Sequence, residues 1–271
     1  MKLIRKVWSH QSIKTGEKYS NKDVRKSDPC EVKSFRSLVE LMAQISFNNP
    51  DWTLFFRGQT NEYDNMKQLT SMYPTIYRSG GGLLVREKPL RSRFKKLGNA
   101  EDHILEAFAN RKLAGLDKLR QFRELRWAIL RHYEVCGTPL LDITHSLRVA
   151  CSFALNNATD NAYLYVLGFP HVHGSISYYV EEEMLNIRLL SICPLKAIRP
   201  YYQEGYLVAT FPTDEGLRSP KLDMGRRLVT KFALVKKRFW DSDFQAIPDR
   251  ALNPKRDPMK RICDKIKRLI S

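Results

Sequence analysis

The chain has 271 residues, 43% of them hydrophobic, which is enough to bury a core and argues against an intrinsically disordered protein. No window approaches the ~18 consecutive apolar residues of a membrane-spanning helix. Five widely spaced cysteines without a C-x-x-C pair argue against a disulfide framework and read as reduced thiols. Forty-six Lys and Arg against 29 Asp and Glu give a net charge of +17, which favours an anionic partner: nucleic acid first, then an acidic protein, then a membrane surface.

Residues 1–33 are polar and basic without clear periodicity and are expected to form a loose arm with at most one short strand. The first ten residues contain no continuous apolar stretch, so no signal peptide is expected, and a cytoplasmic location follows from that and from the cysteines. From Ser34, a plausible cap, Phe35, Leu38, Val39, Met42 and Ile45 recur at helical spacing, and Asn48-Asn49-Pro50 ends the helix. An apolar strand, Trp52 to Phe56, then runs into Arg57-Gly58-Gln59. A strand end fixes the arginine, whose planar fork of donors suits phosphate or carboxylate. The glycine lets a ligand or another chain approach the backbone. The plain alternative is a strand end with a solvated arginine.

Residues 59–82 are turn-rich, with Pro74 and Gly80-Gly81-Gly82. Helices are expected over 84–97, 100–112 and 115–133, with Asn99 as a cap for the second. Arg120, Arg123, Arg126 and Arg131 fall off the apolar face of the third, as a solvated basic side or a nucleic-acid track. After the short apolar segment Leu140-Leu141, Thr144 or Ser146 can cap a helix reaching about Asn156. Strands are expected at 162–167, 176–180, 206–211 and 228–235, and an amphipathic basic helix over 258–271, with Met259, Ile262, Ile266 and Leu269 as its stripe. That stripe either packs on the protein's own core or docks an acidic neutralising partner or a chaperone. The simplest organisation is one α+β domain over 34–257 with a helical insertion at about 84–133, flanked by the arm and the tail helix.

No P-loop, dinucleotide-binding glycine motif, zinc spacing or nucleophile elbow is present, and no metal site is expected; His171-x-His173 reads as a solvated loop pair, with a metal pair as the alternative. What remains is a scattered set of motifs: Phe56-Arg57-Gly58-Gln59, Leu69 to Arg78 with Tyr73-Pro74 and Tyr77-Arg78, His132-Tyr133, Thr138 to Thr144, Ala150-x-x-Phe153-Ala154, and Arg199-x-x-x-Gln203-Glu204-Gly205-Tyr206. In this order they resemble the FRG-domain family, named for its Phe-Arg-Gly signature, over about residues 35–212. Glu134 stands where that family has glycine after His-Tyr, and Ile143 where it has tryptophan after Leu-Leu-Asp.

A looser resemblance is to ADP-ribosyltransferases, whose order of elements is strand-Arg-Gly, a Ser/Thr-rich segment, and a late Gln/Glu on a strand. It implies a split mixed β-sheet and NAD as substrate. It also implies diphosphate or ribose anchoring by Arg57 with Gly58 and Gln59, and a nicotinamide pocket shaped by Thr144 and Ser146. Tyr77, Arg78 and Tyr133 would make further nucleotide contacts. A developing positive ribose needs a preorganised carboxylate, for which Glu204 is the candidate and Gln203 the alternative. Candidate bases are His132, Asp142 and Glu204. Structural roles stand beside these: Asp142 and Thr144 as helix caps, and His132-Tyr133 as a hydrogen-bonded core pair. The implied activity is ADP-ribosyl transfer to nucleic acid, RNA ahead of DNA, by a toxin of a toxin–antitoxin or phage-defence system with an acidic antitoxin. The alternatives are a non-enzymatic nucleic-acid-binding module and, third, a nuclease.

Overall fold

The computed structural model describes residues 1–79, 83–156, 158–194, 197–213 and 220–271. The expected turn at Gly80-Gly81-Gly82 lies outside them. In chain order the strands are β1 (Lys6–Val7), β2 (Tyr19–Ser20), β3 (Cys30–Val32), β4 (Thr53–Gln59), β5 (Leu141–Thr144), β6 (Asn161–Phe169), β7 (Ile176–Tyr179), β8 (Met184–Arg188), β9 (Gly205–Thr210) and β10 (Leu228–Val235). The helices are α1 (Ser12–Thr15), α2 (Asn21–Lys26), α3 (Phe35–Phe47), α4 (Glu87–Asn110), α5 (Leu116–Gln121), α6 (Arg123–His132), α7 (Leu147–Asn156), α8 (Leu189–Ile192), α9 (Arg199–Gln203), α10 (Lys236–Phe239), α11 (Asp249–Leu252) and α12 (Pro258–Leu269). The fold is mixed α+β. The chain forms two compact units, each assembled from three separated stretches: 1–72, 143–172 and 223–252 make the first, and 73–142, 173–222 and 253–271 the second.

The first unit is built on a mixed sheet in the order β3-β10-β6-β4. β3 runs parallel to β10, while β10–β6 and β6–β4 are antiparallel. β6 has a partner on each edge, and eight of its nine residues are at least half-buried. That explains why its sequence reads as a nearly continuous apolar run rather than an alternating one. Residues 1–33 are not a loose arm. Met1, Ile4, Val7 and Val24 are buried, β1 pairs with β2, and β3 joins the sheet. This segment has few apolar residues, so periodicity could not reveal it; polar anchors hold it instead. Asn49 accepts from the Trp8 N–H at 3.0 Å and donates to the Trp8 and Ile45 carbonyls at 2.8 and 2.7 Å. The Asn21 amide donates to the carbonyls of Gly225 and Leu228, both at 3.0 Å. Ser34 caps α3 as expected, accepting from the Ser37 N–H at 3.1 Å.

In the second unit β7, β8 and β9 pair antiparallel in the order β9-β8-β7, with Leu185, Ile187, Leu207 and Ala209 in its core. The sequence reading did not find β8. The helical block differs from expectation in two places. α4 is one 24-residue helix through Gly98-Asn99, so Asn99 is not a cap. Its buried stripe of Leu90, Phe94, Leu97, Ile104 and Phe108 keeps period across that dipeptide, and packing overrides a weak local break. The expected 115–133 helix is instead broken at Phe122, whose backbone is extended (φ −114°, ψ 109°). α12 lays Met259, Ile262, Cys263 and Ile266 into this unit's core and leaves Leu269 exposed.

Candidate functional site

The Phe-Arg-Gly segment lies inside β4, not at its end. Phe56, Arg57 and Gly58 face Val166, Tyr165 and Leu164 of β6 in antiparallel register. On the other edge Phe56 pairs with Thr144 of β5, so Arg57 and the Thr144-His145-Ser146 turn occupy neighbouring strands of the first unit. Thr144 and Ser146 both brace the start of α7. Thr144 Oγ1 accepts from the Ser146 N–H at 3.1 Å, and Ser146 Oγ from the Val149 N–H at 3.5 Å.

Gly58 has a sharp physical reason. A Cβ at this position would stand 2.0 Å from the Ala150 carbonyl oxygen and 2.9 Å from the Ala154 Cβ. The close approach that a strand glycine implies is made by the protein's own helix α7, through the two alanines of Ala150-x-x-Phe153-Ala154. The Phe-Arg-Gly and Ala-x-x-Phe-Ala motifs are therefore two sides of one contact. Side chains alternate along a strand, so half-buried Arg57 faces away from α7, together with half-buried Gln59.

On that opposite face Arg57, Tyr165 and Lys231 form a row across β4, β6 and β10. Lys231 is buried and donates to Glu62 Oε1 and Thr70 Oγ1 at 2.5 and 2.7 Å. Arg25 and Asp223, also buried, form an ion pair; Arg25 Nε donates to the Thr70 carbonyl, and Asp223 accepts from the N–H groups of Met72 and Gly225. Residues 62–72 are thus clamped onto the sheet. The Tyr165 hydroxyl is buried, with no hydrogen-bond partner among the described residues. Burial, reinforced by Glu62, Tyr163 and Asp64, pushes its pKa well up and keeps it a neutral phenol. No sequence signal pointed to Glu62, Tyr165 or Lys231, because the row exists only once β6 and β10 are paired.

The second unit holds the other candidates. His132, at the end of α6, is buried; its Nδ1 lies 3.7 Å from Asp142 Oδ1, and its Nε2 has no hydrogen-bond partner among the described residues. Asp142 Oδ2 forms an ion pair with Arg131 Nε at 2.6 Å. Burial is the main cause holding the His132 pKa below its ordinary value. Arg199 and Arg131 act in the same sense, and the Asp142 contact opposes them. Tyr133 is buried and its hydroxyl donates to Asp257 Oδ2 at 2.8 Å. The same oxygen accepts from the N–H groups of Ile198 and Arg199, while Oδ1 caps α12 through the Met259 N–H. Asp257, only 1% exposed, is therefore a structural hub for this unit. Tyr77 is a core residue, 1% exposed, with its ring 6.0 Å from that of Phe94. The Arg78 carbonyl accepts from Arg93. Gln203 is buried and donates to Asn253 Oδ1 at 3.3 Å; Glu204 is exposed, and its backbone is left-handed (φ 44°) at the C-cap of α9.

Two departures from the family pattern have structural readings. Glu134 has φ 56°, the left-handed region that favours glycine, and its carboxylate meets Arg199 Nη2 at 2.8 Å. Burial would raise the Glu134 pKa, but Arg199 and Arg131 outweigh it and the net shift is downward. Ile143 is buried.

The arginines off the apolar face of 115–133 are not a single solvated track. Arg123 and Arg126 both bind the buried carboxylate of Glu101, at 3.0 and 2.9 Å, and Trp127 Nε1 donates to it at 2.8 Å. Arg131 is held by Asp142. Only Arg120 stands fully outside, 3.6 Å from Asp117. A buried carboxylate needs compensation, and these cations supply it.

The fold and these sites define a mixed α+β protein whose arginine-bearing strand is locked to a helix by glycine–alanine packing. Residues 53–162 match the family model described as FRG domain. No curated protein and no solved structure shows a significant match to the chain.

Proposed function

We propose that this protein is an ADP-ribosyltransferase that takes NAD as substrate and nucleic acid, RNA ahead of DNA, as acceptor. The observation that carries the reading is the full pairing of β4 with β6, which fixes Arg57 and Gln59 on one face of the strand, while Thr144 on the next strand is in register with Phe56. A dinucleotide diphosphate calls for a fixed, bidentate cation, and Arg57 lies on a strand paired along its whole length. Gln59, on the same face, suits ribose hydroxyls. In the reaction the bond between the ribose carbon and nicotinamide breaks, nicotinamide leaves with the electron pair, and an acceptor oxygen or nitrogen bonds the ribose carbon as its proton passes to a base. In the second unit His132, Asp142, Gln203 and Glu204 are the candidates for acid–base and ribose-contacting roles. The +17 charge supports a nucleic-acid acceptor. A toxin of this type calls for an acidic neutralising protein.

The test is incubation with labelled NAD and total RNA, DNA and protein, following nicotinamide release and the fate of the label. Labelled nucleic acid is expected. Arg57→Ala should abolish transfer with little change in melting temperature, and Arg57→Lys should not rescue it, because an ammonium lacks the fork. Glu204→Gln should lower transfer by about two orders of magnitude if that carboxylate steadies the ribose. A silent Glu204→Gln with a dead Gln203→Ala moves the role to Gln203. Absence of nicotinamide release with retained nucleic-acid binding would overturn the enzyme reading in favour of a binding module.

A further inference from the structure

We propose that the outer face of α12, with the residues leading into it, is a docking surface for the phosphate backbone of a nucleic acid. Lys255, Arg256, Arg261, Lys265, Lys267 and Arg268 are exposed. From Pro258 to Ser271 the one acidic residue is Asp264, which is half-buried and held by Lys260 at 2.9 Å. Arg261, Lys265 and Arg268 fall at i, i+4 and i+7, a single row along the helix. The opposite face, Met259, Ile262, Cys263 and Ile266, is buried in the second unit's core, so the row sits on an ordered support.

A solvated helix face ordinarily mixes signs. α4 carries both signs, with an Arg91–Glu87 pair, Lys88, Lys95 and Lys96, and Asp102 and Glu106 further along. On α12 the like charges at i,i+4 and i,i+3 repel, a cost that a bound anion relieves. The helix dipole accounts for cations in the last turn, Lys267 and Arg268, but not for Lys255, Arg256 or Arg261. The chemistry also selects among anionic partners. A helix that binds a membrane surface inserts an apolar face, and here that face is occupied. Protein interfaces draw on apolar and aromatic anchors and are poor in lysine, whereas this face carries only Leu269. Phosphate contacts need cations alone. The proposal rests on the reading above only for the identity of this nucleic acid as the acceptor; binding itself needs no NAD.

The test is fluorescence anisotropy of the full chain with a labelled single-stranded RNA 20-mer of mixed sequence across a salt series, without NAD. The R261Q/K265Q/K267Q/R268Q variant is compared with a charge-matched control, K14Q/K18Q/K22Q/K26Q, on the first unit. The α12 variant should lose affinity and flatten the slope of log affinity against log salt by about 3 units, at roughly 0.7 per phosphate contact. Its melting temperature should be unchanged and the control should bind like the wild type. Unchanged affinity and slope in the α12 variant, or an equal loss in the control, would overturn the proposal. Tighter binding to poly-glutamate than to RNA would overturn it in favour of an acidic protein. Loss of NAD turnover with RNA binding intact would leave it standing, so the two readings fail separately.

Discussion

At Gly58 the neighbour that a Cβ would strike is a backbone carbonyl, Ala150 O, on a helix that is itself packed on the sheet. Neither element can yield without moving the other. Gly58→Ala should therefore cost at least the 1–3 kcal/mol of ordinary overpacking, about 3 kcal/mol here. Urea unfolding measures it, and a loss under about 0.5 kcal/mol would mean that α7 does not bear on β4 as described. A second residue-scale prediction concerns acid. His10 is partly buried, its Nδ1 lies 2.8 Å from Thr230 Oγ1, and burial with help from Lys231 and Lys14 lowers its pKa to about 4. The folded pKa lies below the unfolded value of about 6.5, so the unfolded chain binds the proton first and stability falls as pH drops from about 6.5 to about 4. His132, also lowered, acts in the same direction. The shift in urea midpoint between pH 7 and pH 5 should be smaller in His10→Gln than in the wild type, whatever the variant does to the midpoint itself. An identical shift in both would remove His10 from the account.

Among the elements, α12 separates its two expected roles by burial. Four side chains enter the second unit's core and Asp257 caps the helix from below, so the apolar stripe is structural and only the basic face is open to a partner. Each fully buried side chain contributes about 1.5–3 kcal/mol. Deleting residues 258–271 thus removes a share comparable with the whole stability of a typical domain, about 5–15 kcal/mol. The truncated protein should show a large drop in melting temperature or fail to fold; a stable, soluble truncation would show that α12 is an appendage. Periodicity revealed α12, α3 and β10 because each carries its own apolar stripe or run. β8 and the residues 1–33 escaped it, as did the break at Phe122. There, tertiary packing and isolated polar anchors such as Asn49 decide the conformation, and neither leaves a periodic mark.

On the scale of the whole molecule, the FRG segment 53–162 is not a self-contained body. Its strand β4 pairs along its length with β6, of which only Asn161 and Ala162 fall inside the segment, and β6 pairs in turn with β10 at 228–235, also outside it. The buried clamp likewise joins Glu62 and Thr70 to Lys231, and Met72 to Asp223. A fragment of residues 53–162 would expose a long apolar strand edge. It should be insoluble or lack cooperative unfolding, whereas the full chain should unfold cooperatively; a monomeric, cooperatively folding fragment would contradict this.

By itself the sequence determined the basic charge, the α+β class, the principal helices and strands, and the motif order that resembles the FRG-domain family. These depend on residue type and on local spacing, which a linear reading contains. The tertiary structure alone decided what each motif touches. It filled the approach beside Gly58 with α7 rather than a ligand and placed Arg57 within a strand rather than at its end. It gave Asp142 to Arg131, and Arg123 and Arg126 to Glu101, and it turned the basic face of α12 outward. Those outcomes depend on partners roughly ten to a hundred residues apart in the chain. The free energy of an ion pair or a close contact depends on distance in space and on burial, and neither has a signature along the sequence.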